Sequence, residues 1–161
     1  MINTHALYPG SFDGVTFGHL DIVRRAAGLY SQVTIAVAEN PTKVQPMFTV
    51  AERVRMLEEC TCQHDNVNVR SFPGLTVEYA KSIGAGVILR GLRAVSDFEF
   101  EFQMAMMNES LAPQITTMFM VPKPEFSFVS SSLVKEIAKY GGDISHFVPA
   151  NVASAIFARL K

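Results

Sequence analysis

Four short segments of the chain contain residue types that bind phosphate. The first, residues 8–19, holds three glycines, the hydroxyl of Ser11 and the imidazole of His19, between a predicted strand and a predicted helix. Glycines let the backbone approach a ligand closely, and a helix N-terminus offers unpaired N–H groups to an anion. Taken alone, the segment is explained equally well as a turn followed by a polar histidine in the first helical turn.

Cationic and hydroxyl side chains follow three further predicted strands. Arg90 and Arg93 flank Gly91, and two guanidinium groups at such a point suit bidentate contact with phosphate. Lys43 comes after the second strand and could reach the same crevice, although a loop lysine is most often simply solvated. Residues 130–132 are three serines before a predicted helix. One of them is explained as an N-cap, and the others predict a second anion site.

The sequence excludes several other kinds of site. It has no G-x-x-x-x-G-K-[ST] motif, which argues against a P-loop enzyme. Gly84 and Gly86 begin like a dinucleotide-binding motif, but the third glycine of that motif is missing and the pair precedes a strand, which disfavours nicotinamide chemistry. No catalytic triad, activated cysteine or metal-ligand cluster is recognisable, so no metal ligands are predicted. Asp97 and Glu101 are interpreted as ordinary surface carboxylates. The cations and helix N-termini together predict a nucleoside triphosphate site, which needs neutralised oxygens and fixed donors.

Short apolar runs that alternate with helical spacing would bring these segments together. Strands are predicted at residues 6–8, 33–38, 67–72, 87–90 and 116–121, all apolar enough to be buried on both faces. Five helices are predicted from apolar residues at helical spacing. The first has Leu20, Val23 and Ala27 on one face, the second has Val50, Val54 and Leu57 after a capping box at Thr49, and the third covers residues 77–83. The fourth has either Leu133, Ile137 and Tyr140 or Val134 and Ala138 on its apolar face, and the last has Val152, Ile156 and Leu160. The pattern indicates a single α/β domain over residues 1–161, with five parallel strands and a C-terminal helix.

One segment carries two conflicting patterns. Residues 97–102 alternate polar and aromatic side chains, which alone predicts a half-buried strand. The good helix formers that follow, through residue 109, favour a helix instead, with Phe98, Phe102 and Met106 on one face. Such side chains would suit a subunit interface, and core packing explains them equally well.

Composition and charge narrow the class of protein. Among 161 residues, 48% are hydrophobic and 18% charged, and the formal charge is −1, which rules out intrinsic disorder and argues against a general nucleic-acid binder. Cys60 and Cys62 lack a second pair for a zinc site. The N-terminus has no signal-peptide pattern, and no apolar run reaches the length of a membrane span. The expectation is a soluble intracellular protein with no nucleic-acid and no membrane partner.

Several segments resemble one family closely. The run from Thr16 to His19 is similar to the T-x-G-H motif of the nucleotidylyltransferase superfamily, and residues 8–13, 90–99 and 130–136 resemble bacterial phosphopantetheine adenylyltransferases. The likeness extends over almost the whole chain. It implies a Rossmann-like, doubly wound sheet and the transfer of adenylate from ATP to 4′-phosphopantetheine, with Mg²⁺, giving dephospho-coenzyme A and pyrophosphate. It also implies a cytoplasmic homohexamer, with coenzyme A as a feedback inhibitor.

The resemblance carries roles onto matching positions. His19 would stabilise charge on the α-phosphoryl group, and Ser11 would place the acceptor phosphate. Lys43 and Arg90 would hold that phosphate, and Thr76 would line the pantetheine arm. The catalytic set would be His19, Ser11, Lys43 and Arg93. Contacts to ATP would come from Ser11, Phe12, His19, Gly91, Leu92, Arg93, Glu101, Phe126, Ser127, Phe128, Val129, Ser130, Ser131 and Ser132.

An in-line displacement would need neither a general base nor a covalent intermediate, because the attacking phosphate is already an anion. Two alternatives stay open. One is a related transferase that acts with CTP on another phosphate, such as glycerol phosphate. The other is a catalytically silent module that senses a nucleotide or coenzyme A, against which the full set of cations, hydroxyls and histidine argues. Departures from the family pattern at Ser11, Gly14, Phe17 and Phe126 concern loop rigidity and affinity.

Overall fold

The computed structural model describes residues 2–39, 46–93 and 95–161, and within them five strands form one sheet. The strands are β1 (Ile2–Gly10), β2 (Tyr30–Ala38), β3 (Val67–Phe72), β4 (Val87–Gly91) and β5 (Thr116–Met120). They lie in the order β3-β2-β1-β4-β5, and every neighbouring pair is parallel. The predicted α/β fold with five parallel strands is confirmed.

Helices follow the strands in the predicted alternation. They are α1 (Phe17–Leu29), α2 (Val50–Thr61), α3 (Thr76–Ser82), α4 (Val95–Leu111), α5 (Ser131–Lys139) and α6 (Ala150–Leu160), with a 3₁₀ turn at Pro124–Phe126. The ambiguous residues 97–102 lie in α4, as the helix formers after them predicted. In a helix the segment satisfies its backbone hydrogen bonds internally, whereas a strand would have needed a pairing partner in the sheet.

Two helices begin with reciprocal caps that fix how the preceding loop enters them. At α2 the hydroxyl of Thr49 accepts the backbone N–H of Glu52 at 3.3 Å, and the Glu52 carboxylate accepts the N–H of Thr49 at 2.8 Å. This confirms the predicted capping box. Thr16 caps α1 in the same manner, with His19 in the place of the glutamate. The start of the helix therefore holds the histidine side chain.

The core lies on both faces of the central strands and under the C-terminal helix. Leu7 of β1 and Ile35 of β2 are fully buried, whereas the first four residues of β5 alternate between exposed and half-buried. Burial on both faces therefore holds for the centre of the sheet and not for its edges, since β3 at the other edge also exposes Asn68 and Arg70. In α6, Val152 and Ile156 are buried as predicted, but Leu160 is 38% exposed. Leu160 is the last helical residue and extends past the surface that the helix covers.

The two faces predicted for α5 are resolved by its packing against α6. Val134 and Ala138 are buried, while Leu133 and Tyr140 are exposed. The second of the two predicted faces is therefore the one that packs on the core. The sequence could not choose between them because both follow helical spacing.

Much of the exposed surface of α4 is apolar, although Glu99, Gln103 and Glu109 are exposed along it as well. Its exposed aromatic and methionine side chains are between 41% and 63% accessible, and they are Phe98, Phe100, Phe102, Met104, Met106 and Met107. Core packing within this chain does not explain them, and an exposed apolar surface of this kind is typical of an interaction site. Among the described residues, no helix combines the length and the apolar character needed to cross a membrane.

The topology creates a crevice beside β1. This strand pairs with β2 on one side and with β4 on the other, so the chain winds outward in opposite directions from it. In open parallel sheets, ligands bind at the carboxyl ends of the strands at such a switch point. The loops that leave Gly10 at the end of β1 and Gly91 at the end of β4 therefore meet there.

Candidate active site

A cleft of about 370 Å³ opens at the carboxyl ends of β1 and β4. Three of the four segments predicted to bind phosphate line it: the loop after β1, the loop after β4 and the start of α5. Of the predicted site residues it brings together Ser11, Phe12, His19, Arg90, Gly91, Arg93, Glu101, Phe126, Val129, Ser130, Ser131 and Ser132. Lys43, from the fourth segment, lies outside the described residues.

The loop after β1 turns at Phe12, whose φ of 48° lies in the left-handed region. This conformation is costly for a bulky side chain, so packing must compensate for it. The buried Phe12 ring has its centroid 5.3 Å from that of Tyr8 and 5.2 Å from that of the His19 imidazole. A Cβ at Gly10 would lie 3.0 Å from the same ring. The turn leaves Ser11 exposed in the cleft.

The imidazole of His19 is fixed in orientation and in protonation state. Its Nδ1 accepts the backbone N–H of Thr16 at 3.1 Å and lies 3.1 Å from the Thr16 hydroxyl. Burial, with a smaller contribution from Arg93, lowers the pKa of His19 to about 4. At neutral pH the ring is therefore uncharged, and because Nδ1 accepts, the proton lies on Nε2. His19 is a neutral N–H donor.

Arg90 is held rigidly at the end of β4. Its Nη1 donates to the carbonyl of Pro9 at 2.9 Å, and its Nε and Nη2 donate to the Glu101 carboxylate at 2.6 and 2.5 Å. Burial acts to lower the pKa of Arg90, but the bonds to Glu101 raise it, and the net pKa lies above its ordinary value. The interpretation of Glu101 as a surface carboxylate is wrong, because only 9% of this residue is exposed. The register between β4 and α4 places it against Arg90.

Arg93 joins the loop after β4 to the segment before α5. Its Nε and Nη2 donate to the Asp97 carboxylate at 3.1 and 3.3 Å, and its Nη1 donates to the carbonyl of Val129 at 3.4 Å. Asp97 lines the cleft, so it is not an isolated surface carboxylate either. Both arginines of the cleft are thus oriented by carboxylates of α4.

The three serines before α5 have different partners. Ser130 is the N-cap, and its hydroxyl accepts the N–H of Leu133 at 3.1 Å. The Ser131 hydroxyl donates to the carbonyl of Gly14 at 2.6 Å, which ties the start of α5 to the loop after β1. Ser132 is exposed and lines the cleft. The N-terminal N–H groups of α5 thus lie at the cleft beside the exposed hydroxyl of Ser132.

Thr76, the predicted contact for the pantetheine arm, is the first residue of α3. It lines a second cleft of about 170 Å³ that lies next to the first. Arg90 and Glu101 line both clefts, and Met104 of α4 lines the second. The two spaces therefore meet at the Arg90–Glu101 pair.

Three of the predicted contacts to ATP do not line the main cleft. The backbone N–H of Leu92 donates to the carbonyl of Met120 at 3.0 Å, which continues the pairing of β4 with β5. The Ser127 hydroxyl donates to the carbonyl of Pro124 at 2.8 Å. Phe128 is exposed, and its ring lies edge-on to another phenylalanine.

Charged groups behind the cleft were missed by the sequence analysis. The buried Asp13 carboxylate accepts the N–H groups of Met47 at 3.0 Å and Phe48 at 2.9 Å, and it forms an ion pair with Lys135 of α5. Arg53 of α2 is only 1% exposed. A charged residue within the predicted apolar face of α2 was the signal that could have identified Arg53.

The cleft contains groups that can bind an anion. It presents arginine side chains, hydroxyl groups, the N-terminal N–H groups of α5 and the N–H donor of His19. Among the described residues, no three His, Cys, Asp or Glu side chains cluster so as to hold a metal ion. Such donors can bind the oxygens of a polyphosphate and stabilise charge that develops on them.

Comparison with known proteins agrees with this geometry. A family model described as cytidylyltransferase-like matches residues 7–137. The phosphopantetheine adenylyltransferase of Opitutus terrae is 55% identical over 154 residues, which is 96% of each chain. That of a Cyanothece species is also 55% identical, over 92% of this chain and 87% of the relative.

A solved structure of nicotinic acid mononucleotide adenylyltransferase from Plasmodium falciparum, complexed with NaAD, has a similar fold. The TM-score is 0.73, and the match covers 97% of this chain and 95% of the other. At 14% identity the likeness supports the fold alone. The curated relatives, by contrast, share more than half of their residues with this chain over nearly its full length. The resemblance predicted from the motifs is confirmed: the chain belongs to the phosphopantetheine adenylyltransferase family.

Proposed function

We propose that this protein transfers the adenylyl group of ATP to 4′-phosphopantetheine, giving dephospho-coenzyme A and pyrophosphate. One observation carries the proposal: Ser11, His19 and the two arginines Arg90 and Arg93 line a single cleft. Such a set suits a phosphomonoester and a triphosphate placed end to end. An oxygen of the acceptor phosphate attacks the α-phosphorus of ATP, the bond from that phosphorus to the bridging oxygen breaks, and pyrophosphate leaves with that oxygen.

The acceptor, 4′-phosphopantetheine, is assigned to the side of the main cleft that adjoins the second cleft. Ser11 and Arg90 would bind its phosphate, and Lys43 is added from the resemblance. The pantetheine arm would extend into the second cleft, which Thr76 and Met104 line. In this arrangement Arg90, which lines both clefts, would bind the phosphate while Glu101 holds its guanidinium in place.

ATP is assigned to the opposite side of the cleft. Arg93 and Ser132, together with the N-terminal N–H groups of α5, would bind the polyphosphate, because a helix N-terminus attracts anions. Gly91 would contact ATP through its backbone, and a side chain there would collide with Ile22, since a Cβ would lie 2.6 Å from the Ile22 Cδ1. The adenine would lie against the segment from Phe126 to Val129. Phe126 and Val129 themselves line the cleft.

His19 is the catalytic residue of the proposal. Its neutral Nε2–H would donate to a non-bridging oxygen of the α-phosphoryl group, where negative charge accumulates during the displacement. Because Thr16 already holds the ring, this donor needs no reorganisation when the reaction occurs, which is the source of electrostatic catalysis. The acceptor phosphate is an anion at neutral pH, so no general base is required.

Mg²⁺ would enter with ATP. The carboxylates that line the cleft, Asp97 and Glu101, are bound to arginines, so they do not form a cage for a resident ion. Mg²⁺ keeps several waters and is commonly bound through substrate phosphates, and the donor set of the cleft fits that mode. The ion would neutralise charge on the phosphate oxygens that the arginines do not reach.

The family resemblance also supports a homohexamer. The apolar face of α4 that carries Phe98, Phe102 and Met106, with Phe98 and Phe102 stacked at a centroid distance of 5.6 Å, is the surface we assign to subunit contacts. Coenzyme A contains both the adenylate and the pantetheine arm, so it could occupy both clefts and inhibit the enzyme. We place the activity in the cytoplasm, where ATP is abundant.

A pyrophosphate-release assay tests the activity. ATP and 4′-phosphopantetheine together should give pyrophosphate and dephospho-coenzyme A in equal amounts, and omission of either should abolish release. CTP with glycerol phosphate is the control for the related transferase. Binding of ATP in calorimetry without any release of pyrophosphate would contradict the proposal and favour a nucleotide sensor.

A further inference from the structure

Arg53 is a buried cation whose hydrogen bonds, among the described residues, all go to backbone carbonyls. Only 1% of the residue is exposed. Its Nη1 donates to the carbonyl of Ser11 at 2.7 Å and to that of Ala38 at 3.4 Å, and its Nε donates to the carbonyl of Thr49 at 3.4 Å. Burying a guanidinium is unfavourable unless its donors are satisfied. The three carbonyls belong to three different segments, so the side chain joins those segments.

The shortest of these bonds ends on Ser11, which is exposed in the cleft. The next residue, Phe12, has the left-handed φ of 48°, so the peptide between them needs support from its surroundings. Arg53 supplies that support through its bond to the Ser11 carbonyl, without itself lining the cleft. The contact orients the peptide plane between Ser11 and Phe12, and with it the following N–H, and it holds the backbone from which the Ser11 hydroxyl extends.

Asp13 supports the same loop through a second set of hydrogen bonds. Its carboxylate accepts the N–H groups of Met47 and Phe48, which precede α2. Burial lowers the pKa of Arg53, and the nearby Asp13 charge opposes that shift. The start of α2 and the loop after β1 are therefore joined twice, once through Arg53 and once through Asp13.

We propose that Arg53 is a positioning residue for the acceptor phosphate, acting through the carbonyl of Ser11. The inference rests on the proposed function, since it takes Ser11 as part of the acceptor site. Arg53 itself does not line the cleft, so its effect on the reaction passes through the loop. Arg93 and the start of α5, which bind ATP in the proposal, make none of these contacts with Arg53.

The test compares KM for each substrate in full-length variants. Arg53→Met keeps the apolar stem but removes the donors, so KM for 4′-phosphopantetheine should rise about tenfold or more, the loss expected for one charge-assisted hydrogen bond. KM for ATP should stay unchanged. Arg53→Lys keeps the charge and one donor, and it should raise the acceptor KM by less. Arg55→Met is the matched control, because Arg55 lies on the same helix with an exposed side chain.

Arg53→Lys alone decides the matter if Arg53→Met fails to fold. An unchanged acceptor KM in the folded variants, or an equal rise in both KM values, would overturn the role of Arg53. A merely structural role would lower the melting temperature without separating the two KM values. A wild-type protein that releases no pyrophosphate would instead refute the proposed function, so the two failures are distinguishable.

Discussion

The backbone N–H of Thr16 donates to Nδ1 of His19 at 3.1 Å, across the first turn of α1. The bond occupies one ring nitrogen and leaves the proton on the other. Because burial also lowers the pKa of the ring to about 4, the donor is neutral over the whole physiological range. The cap that starts the helix thus also sets the chemical state of the histidine in the cleft.

Replacement of His19 by alanine should lower kcat by about 10²-fold or more, because a preorganised donor to the developing charge is lost. The measurement is the rate of pyrophosphate release at saturating ATP and 4′-phosphopantetheine. His146→Ala is the control, since His146 is exposed and does not line the cleft. A rate close to wild type in His19→Ala would contradict the assigned role.

The pKa of His19 predicts how stability depends on pH. The folded-state pKa of about 4 lies below the ordinary value of 6.5, so between these values the folded protein binds fewer protons than the unfolded chain. The neutral ring therefore contributes fully to the free energy of unfolding above pH 6.5, and this contribution is lost as the pH falls toward 4. Urea denaturation at a series of pH values should show that the free energy of unfolding falls more steeply with decreasing pH in the wild type than in His19→Asn. Equal pH dependences would be incompatible with a depressed pKa.

Glu101→Gln should destabilise the protein by about 2 kcal/mol, since two charge-assisted hydrogen bonds to Arg90 are weakened in a largely buried pair. Equilibrium unfolding in urea measures the change. Glu109→Gln on the exposed side of the same helix is the control and should leave the stability unchanged. Equal stabilities of the two variants would mean that the Arg90–Glu101 pair contributes nothing.

Charges placed on the apolar face of α4 should separate the subunits. The double substitution Phe102→Glu and Met106→Glu alters side chains that are exposed in the single chain, so the fold should survive while association is lost. Light scattering coupled to gel filtration should give the mass of one chain. Leu29→Glu, which changes an exposed leucine on another helix, should retain the wild-type mass. A double variant with that same mass would rule out this face as the interface.

Much of the fold follows from local patterns. Residues 67–72 form β3 as predicted, because valines at alternate positions followed by a phenylalanine favour a short strand. The box at Thr49 is equally local, since both of its hydrogen bonds lie within one turn. Convergence of three of the four segments predicted to bind phosphate was predictable as well, because parallel strands bring their carboxyl ends to one edge of the sheet.

The pairing of side chains from different elements was not predictable in the same way. Glu101 meets Arg90 because α4 lies across β4 in one particular register, and spacing within α4 does not determine that register. The same holds for Ser131, whose bond to Gly14 depends on where α5 begins relative to the first loop. Residue type indicated that a serine would cap α5, but only the structure identifies Ser130.

The pairing of the arginines with α4 affects how the protein meets its substrates. Arg90 is matched by Glu101 and Arg93 by Asp97, and the uncharged His19 adds nothing to the balance. Seen from a distance, these side chains create little field at the mouth of the cleft. A nucleotide diffusing in solution would feel hardly any attraction from them before it comes within reach of the donors. These paired side chains would then act on a substrate mainly through short-range contacts, and their share of the association rate would depend little on ionic strength.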